Sequence, residues 1–509
     1  AESASEAGVL WAGSDDGLVH LSKDGGENWA NITPADLPDW AMVTMIELSP
    51  HDQATAYLTG AKYKLDDYTP YIFKTTDYGA SWTKITDGIR DEDYLRVIRC
   101  DPSREGLLYA GSETGVYVSF DDGANWQAFN LNLPVCPVYD LKVKDNDLIA
   151  GTHGRSIWIL DDITPLHQLH DEIAEQAVML FKPRDTWRLI PPLFDGGLGP
   201  PLPGKNYTSA FTEITTFVVE KTPENYGNRK YLDVGKNPPD GVIVGYHLKD
   251  AGTIKLEVLD ATGKLVAKFG TKPEETKEMS AEQKKELKEK LYAPSNAGMN
   301  RFIWDMRFAD GTKIKGKEPA ATTPRGTIVP PGMYQVRLTS GETVQTHNFE
   351  VVLNPTVDTS AEDMQAQADL LTAIRDKISE CNKTVNTLRD LQAQMDGIAK
   401  RTKNEDVKAA AKAFKARLLE VEDPLIKAGN KTFWQAFNHG SRLIGKLGNL
   451  LSYVAPSDSK PTVAAHDHFD FLTEQIDVVL GACNGVATKD VATFNQLLAD
   501  NQVGGVIVA

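Results

Sequence analysis

The stretch Leu10-Trp-Ala-Gly-Ser-Asp-Asp-Gly-Leu-Val-His-Leu-Ser-Lys-Asp-Gly-Gly-Glu-Asn-Trp29 returns as Leu108-Tyr-Ala-Gly-Ser-Glu-Thr-Gly-Val-Tyr-Val-Ser-Phe-Asp-Asp-Gly-Ala-Asn-Trp126, with a single one-residue gap. Its core appears between them as Thr75-Thr-Asp-Tyr-Gly-Ala-Ser-Trp82. A degenerate fourth copy, Leu148-Ile-Ala-Gly-Thr-His-Gly-Arg-Ser-Ile-Trp-Ile-Leu160, keeps the strand and loses the rest. Self-similarity at a fixed period marks a repeat architecture. The complete signatures begin at Ser22, Thr75 and Ser119, steps of 53 and 44 residues. Such a step fits one four-stranded blade of a β-propeller.

Each position in the signature has a mechanical reason. Asp24, Asp77 and Asp121 can accept hydrogen bonds from backbone N–H groups of a tight turn. Gly26, Gly79 and Gly123 suit positive φ or close approach. Ser22, Thr75 and Ser119 end the preceding strand and add a hydroxyl, and Trp29, Trp82 and Trp126 are expected to pack between neighbouring blades. This is the Asp-box, or BNR repeat. A catalyst would not be needed three times, so these aspartates are expected to be structural.

The array is expected to be partial. Strands open the later copies at 45–48, 96–99 and 138–143, but only residues 1–8 precede the first. Three and a half blades do not close a ring of the usual four to eight. Residue 1 is therefore expected not to be the native start, and an upstream propeller segment of the same protein is the expected partner.

These residues, with the aromatic loop Tyr63-Lys-Leu-Asp-Asp-Tyr-Thr-Pro-Tyr71 and the run His153-Gly-Arg-Ser-Ile-Trp-Ile-Leu-Asp-Asp162, resemble bacterial sortilin-like BNR-repeat proteins. Those proteins are often labelled glycosyl hydrolases on the Asp-box alone. The later runs Asn237-Pro-Pro-Asp-Gly-Val-Ile-Val244 and Asn300-Arg-Phe-Ile-Trp-Asp-Met-Arg307 carry the same resemblance. It implies a propeller followed by an immunoglobulin-like domain and a helical tail, in an exported protein.

The rest of the chain reads accordingly. Its 509 residues suggest about three domains. The fold class is multidomain, mainly β and then α. Residues 1–162 are expected to be C-terminal blades of a propeller, and 163–205 a connector with the Pro/Gly-rich run Pro191–Pro203. Residues 206–356 alternate as short strands, with a hairpin turn at Asp260-Ala-Thr-Gly263, and are expected to form an immunoglobulin-like β-sandwich. Residues 357–509 are expected to form a helical bundle. There Leu371, Ile374, Ile378, Cys381, Val385 and Leu388 alternate at three and four, the spacing of a packed seam.

The net charge of −17 is uneven: residues 1–165 hold 27 acidic side chains against 12 basic ones. Binding of nucleic acid is driven by neutralising phosphates, so this balance excludes it as a partner. No apolar run is long enough for a transmembrane helix. Four cysteines without a CxxC pair make neither a disulfide scaffold nor a zinc site. Gly440–Lys446 misses a P-loop, because Leu447 follows and the surrounding pattern is helical. His466 and His468 sit two apart on a helix and point different ways. No metal or cofactor is expected.

Two functional readings remain. Tyr63, Asp66, Asp67, Tyr68 and Tyr71, with His153 and Arg155, are the candidate ligand contacts, and Trp40 and Tyr94 could add aromatic surface. They suit an exported, non-catalytic binding or scaffold protein with a peptide, protein or neutral glycan as ligand. The alternative is a glycoside hydrolase acting on neutral polysaccharide, which needs a carboxylate pair; no catalytic residue can be singled out. A third reading is a cell-surface assembly component that forms homo-oligomers through its helical tail.

Overall fold

A computed structural model describes residues 1–189, 204–210, 213–221, 227–231, 238–316, 324–427 and 440–506. The chain divides into two compact units, 1–171 and 172–509.

The first unit holds four antiparallel sheets in chain order. Sheet one contains β1 (Leu10–Gly13), β2 (Val19–Ser22) and β3 (Ala30–Asn31). Sheet two contains β4 (Met42–Leu48), β5 (Ala56–Lys62), β6 (Asp67–Thr75) and β7 (Thr83–Lys84). Sheet three contains β8 (Leu95–Cys100), β9 (Leu108–Ser112), β10 (Val116–Ser119) and β11 (Gln127–Ala128). Sheet four contains β12 (Val138–Lys144), β13 (Asp147–Thr152) and β14 (Ile157–Leu160). The first strands β4, β8 and β12 stand side by side, so the sheets form a propeller-like arc. Each gap between neighbours is filled by its own core. Trp11, Leu21 and Phe73 serve the first gap, Ile72, Ile98 and Trp126 the second, and Val116, Val118 and Leu148 the third.

The three signature turns superimpose in their hydrogen bonds. The N–H groups of Gly26, Gly79 and Gly123 donate to the Ser22, Thr75 and Ser119 hydroxyls at 2.8, 2.8 and 2.9 Å. Each aspartate accepts from the backbone N–H four residues on: Asn28 at 2.9 Å, Ser81 at 2.8 Å and Asn125 at 2.8 Å. Between Asp and Gly the chain passes through positive φ at Gly25, Tyr78 and Asp122. The N–H groups of these residues dock on Gly8, Ala54 and Gly106 carbonyls of their own sheets. Trp82 and Trp126 bridge sheets, donating to Ile32 O at 2.7 Å and Ile85 O at 2.9 Å in the preceding sheet. Trp29 differs. Its indole donates to Gly26 O of its own turn, and its ring is 44% exposed.

In the second unit, the segment read as a connector contributes structure. Helix α1 (Thr164–Gln168) still belongs to the first unit, whereas β15 (Val178–Leu180) and β16 (Thr186–Arg188) join sheets of the second. Val178 and Leu180 of β15 are buried in the sheet core and β16 pairs parallel with β25, which a Pro/Gly reading overlooks. The Pro191–Pro203 run lies outside the described residues. The backbone of β17 (Gly204–Ala210), β18 (Glu213–Lys221) and β19 (Gly227–Tyr231) makes a three-stranded meander. Then follow β20 (Val242–Leu248), β21 (Ile254–Asp260), β22 (Leu265–Gly270), α2 (Ala281–Glu289), β23 (Gly298–Trp304), β24 (Gly332–Ser340) and β25 (Thr343–Leu353). Sheet β15-β20-β23 and sheet β16-β25-β24-β21-β22 share one core around Trp304, Tyr246 and Phe349.

The C-terminal part is helical: α3 (Ala361–Arg401), α4 (Glu405–Glu422), α5 (Leu443–Val454), α6 (Val463–Gly485) and α7 (Val491–Asp500). The α3 seam from Leu371 to Leu388 is buried in a core shared with α4, α5, α6 and α7. Residues 312–315 are stitched to α3. Asn382 donates to Thr312 O at 2.8 Å, and Asn386 Oδ1 accepts from Lys315 N at 2.9 Å.

Candidate functional site

Strand direction sorts the loops of the first unit onto two ends. The signature turns follow β2, β6 and β10, at one end. The loops after β1, β5, β9 and β13, with the starts of β4, β8 and β12, lie at the other. The second end carries most of the aromatic candidates.

Tyr63 opens a short 3₁₀ turn after β5, closed by Asp66 in the left-handed conformation. Its ring stacks on Tyr94, with centroids 4.7 Å apart, and Tyr68 leans on the same ring at 6.1 Å. Behind them lies Arg96 of β8. Its guanidinium is 4.0 Å from the Tyr139 ring, 5.1 Å from Tyr94 and 5.4 Å from Tyr63. Glu113, in the β9–β10 loop, holds it with bonds of 2.9 and 2.6 Å. Arg96 also donates to the Tyr94 hydroxyl at 2.9 Å. The His153 ring stacks on Tyr139 at 5.1 Å. A ladder of rings, with Tyr63 and Tyr68 both on Tyr94 and then Arg96, Tyr139 and His153, thus joins sheets two, three and four.

Electrostatics stiffen this ladder. Cation–π contacts to a desolvated guanidinium reach about 2 kcal/mol. The Arg96 side chain is only 10% exposed. Burial opposes its charge, but the hydrogen bond and charge of Glu113 outweigh that and raise its pKa above the ordinary value. Burial pushes the Tyr94 phenol up, and its hydrogen-bonding to Glu113 pushes the same way. Tyr68 and Tyr139 remain 45% and 48% exposed, so the rim offers open ring surface over a rigid base.

The other candidates fall differently. Tyr71 is buried in the core of the first gap, and its hydroxyl donates to Asp67 at 2.8 Å. Burial and that bond push its pKa to about 12. Burial works against the Asp67 charge, yet Tyr71 and Thr69 hold its pKa below the ordinary carboxylate value. This pair fastens the loop base. Arg155 is exposed, and its carbonyl accepts from the Trp158 indole at 2.8 Å. Trp40, 67% exposed and at positive φ, stands at the same end beside sheet one, its N–H on Asp16 O. Sequence reasoning missed Arg96, Glu113 and Tyr139 as site residues. Arg96 and Glu113 are 17 positions apart in sheet three and Tyr139 lies in sheet four, so only the pairing of β8 with β9 and the side-by-side placement of β8 and β12 bring them together.

Other clusters are closed. Asp101 is buried between His167 (2.9 Å), Tyr109 (3.2 Å) and the backbone of its own turn. On the inner strands Arg99 bonds both Glu47 and Asp140 at 2.8 Å. Cys100, Cys136, Cys381 and Cys483 are free and buried. Among the described residues no group of three or more His, Cys, Asp or Glu side chains is arranged to hold a metal, and no helix is long and apolar enough to cross a membrane.

No family model matches the chain, and no curated protein does. Solved structures do match. YCF48 from Cyanidioschyzon merolae is 17% identical, covering 32% of this chain and 52% of that one, with a TM-score of 0.25. YCF48 bound to D1 peptide is 16% identical, covering 48% and 74%, at 0.23. The GH74 xyloglucanase from Xanthomonas campestris is 12% identical, covering 72% and 46%, at 0.26. The chain thus spans about half the length of the first and last of these.

Proposed function

We propose that the chain is a non-catalytic binding module whose ligand lies across the ring ladder. The observation that carries this reading is the Arg96-centred stack of Tyr63, Tyr94 and Tyr139, flanked by the exposed rings of Tyr68 and His153. Flat, rigid aromatic surface binds peptide side chains and the apolar faces of sugars at low entropic cost. The unit's acidity leaves neutral glycans, and neutral or basic peptide and protein segments, as the fitting ligands. The finer identity follows the sequence. The repeated turns read as Asp-boxes of a sortilin-like propeller, the paired sheets as an immunoglobulin-like domain, and the protein as exported. A scaffold role, with the helical tail assembling copies, is compatible with that identity.

The hydrolase reading has less support. A general acid needs a raised pKa. Among the first unit's carboxylates, the hydrogen bonds of their turns push Asp16, Asp24, Asp67, Asp77 and Asp121 downward instead.

The test is a titration of the protein with neutral oligosaccharides and a peptide library, beside a turnover assay on the same glycans. Binding weakened at least about tenfold by Tyr68→Ala with Tyr139→Ala, without turnover, is the expected result. Turnover abolished by Glu113→Gln in a folded protein would replace binding with hydrolysis.

A further inference from the structure

The fourth sheet lacks something that the other three possess. In sheets one to three the edges of β2, β6 and β10 are covered by the short outer strands β3, β7 and β11. The N–H groups of Ile32, Ile85 and Phe129 donate to the carbonyls of Val19, Ile72 and Val116 at 2.9, 3.0 and 2.7 Å. Two residue pairs follow each of these bonds: His20 with Asn31 and Leu21 with Ala30, Phe73 with Lys84 and Lys74 with Thr83, Tyr117 with Ala128 and Val118 with Gln127. The outer strands share one pattern, Trp29-Ala-Asn-Ile32, Trp82-Thr-Lys-Ile85 and Trp126-Gln-Ala-Phe129.

Strand β14 is the counterpart of β10, residue for residue. Leu160 faces Leu148 as Ser119 faces Leu108, and Ile157 faces Gly151 as Val116 faces Gly111. Among the described residues β14 pairs only with β13. Its Ile157 carbonyl therefore takes the place where Val116 accepts its outer strand. The face of β14 is uncovered as well: Val116 and Val118, 4% and 1% exposed, pack on sheet four, whereas Ile157 and Ile159 are 71% and 56% exposed. An uncovered strand edge with apolar side chains is a template for another strand.

The geometry points to β14 as a docking edge for an extended peptide segment, which adds antiparallel as the fourth strand of sheet four. Main-chain bonds supply the affinity and alternate side chains the selectivity. The segment of matching chemistry ends on an Ile or Phe whose N–H reaches the Ile157 carbonyl. Basic side chains before it, like Lys84 in sheet two, suit the negative charge of this unit. This edge is separate from the ring ladder, and it does not rest on the function proposed for the ladder.

The test uses the full chain and a capped peptide copying residues 81–86, Ser-Trp-Thr-Lys-Ile-Thr, with fluorotryptophan as the ¹⁹F NMR reporter. A saturable shift is expected. N-methylation of the peptide's Ile nitrogen removes one ladder bond without touching the protein and is expected to weaken binding about tenfold. Ile159→Pro removes an outward-facing N–H of an edge strand, where proline is tolerated, and is expected to do the same. If that variant fails to fold, Ile159→Lys takes its place and is expected to weaken binding too. Tyr68→Ala is expected to leave binding unchanged. No saturable shift, equal binding of the N-methylated peptide, or loss on Tyr68→Ala would each overturn the assignment.

Discussion

Gly26, Gly79 and Gly123 occupy the same place in three turns, yet their surroundings differ. A Cβ on Gly123 would meet Ile85 at 2.4 Å and one on Gly79 would meet Ile32 at 2.6 Å, whereas Gly26 has nothing nearer than 3.7 Å. All three have positive φ, between 81° and 95°. Alanine at Gly26 is expected to cost about 1 kcal/mol, for the backbone alone. At Gly123 overpacking is added, and about 3 kcal/mol is expected. Urea unfolding of the two variants measures the difference. The aspartates of the same turns give a pH dependence. Backbone and side-chain N–H groups of Asn28, then the Ser22 hydroxyl, hold Asp24 at about 2 against an ordinary 3.8. Ser81 and Thr75 likewise lower Asp77. Asn125 and Ser119 lower Asp121 although burial opposes them. A carboxylate depressed in the folded state stabilises above its unfolded pKa and loses that contribution as pH falls through the folded value. The urea midpoint is expected to drop between pH 3.8 and about 2. Asparagine at all three positions is expected to flatten that drop. The roles of these residues could be read from sequence, because each acts within eight consecutive positions. The exposed ring of Trp29 could not, since whether an indole bridges sheets, as Trp82 and Trp126 do, or bonds its own turn depends on a carbonyl outside the signature.

At the scale of elements, local periodicity carried the reading a long way. The seam on α3 and the alternating strands β23 and β24 bury one continuous face each, whereas β20 and β21 show as short apolar runs buried on both faces. The strands β15 and β16 were hidden. Three residues are too few to show a period, and what makes them strands is their pairing with Tyr246–Leu248 and Val351–Leu353. The same limit concealed the ion pair between α3 and α4. Glu422 is 1% exposed and accepts from Arg389 at 2.8 Å and Gln392 at 2.7 Å. Removing Arg389 alone strands a buried carboxylate, so Arg389→Ala is expected to cost about 3–5 kcal/mol. Replacing both partners by apolar residues, Arg389→Met with Glu422→Leu, is expected to cost less than that single change. A double-mutant cycle in urea gives both values.

Across the whole molecule, the division at residue 171 predicts two thermal transitions by calorimetry. Gly123→Ala is expected to lower one of them and Arg389→Ala the other; a single transition that both variants shift would refute their independence. Length suggests about three domains. Contacts group residues 172–509 as one compact unit, in which residues 312–315 and the buried Arg188–Asp458 pair tie the paired sheets to the helices. The one-neighbour pattern of cores in the first unit has a further consequence. Among the described residues of this unit, sheets two and three each share a core with two neighbouring sheets, and sheets one and four with one. Such an array opens from its ends, as a row of coupled repeats does. Amide hydrogen exchange should therefore be graded along the chain: slowest in β5 and β9, faster in β13, and fastest in β1, with the protection of sheet four rising when its free edge is occupied.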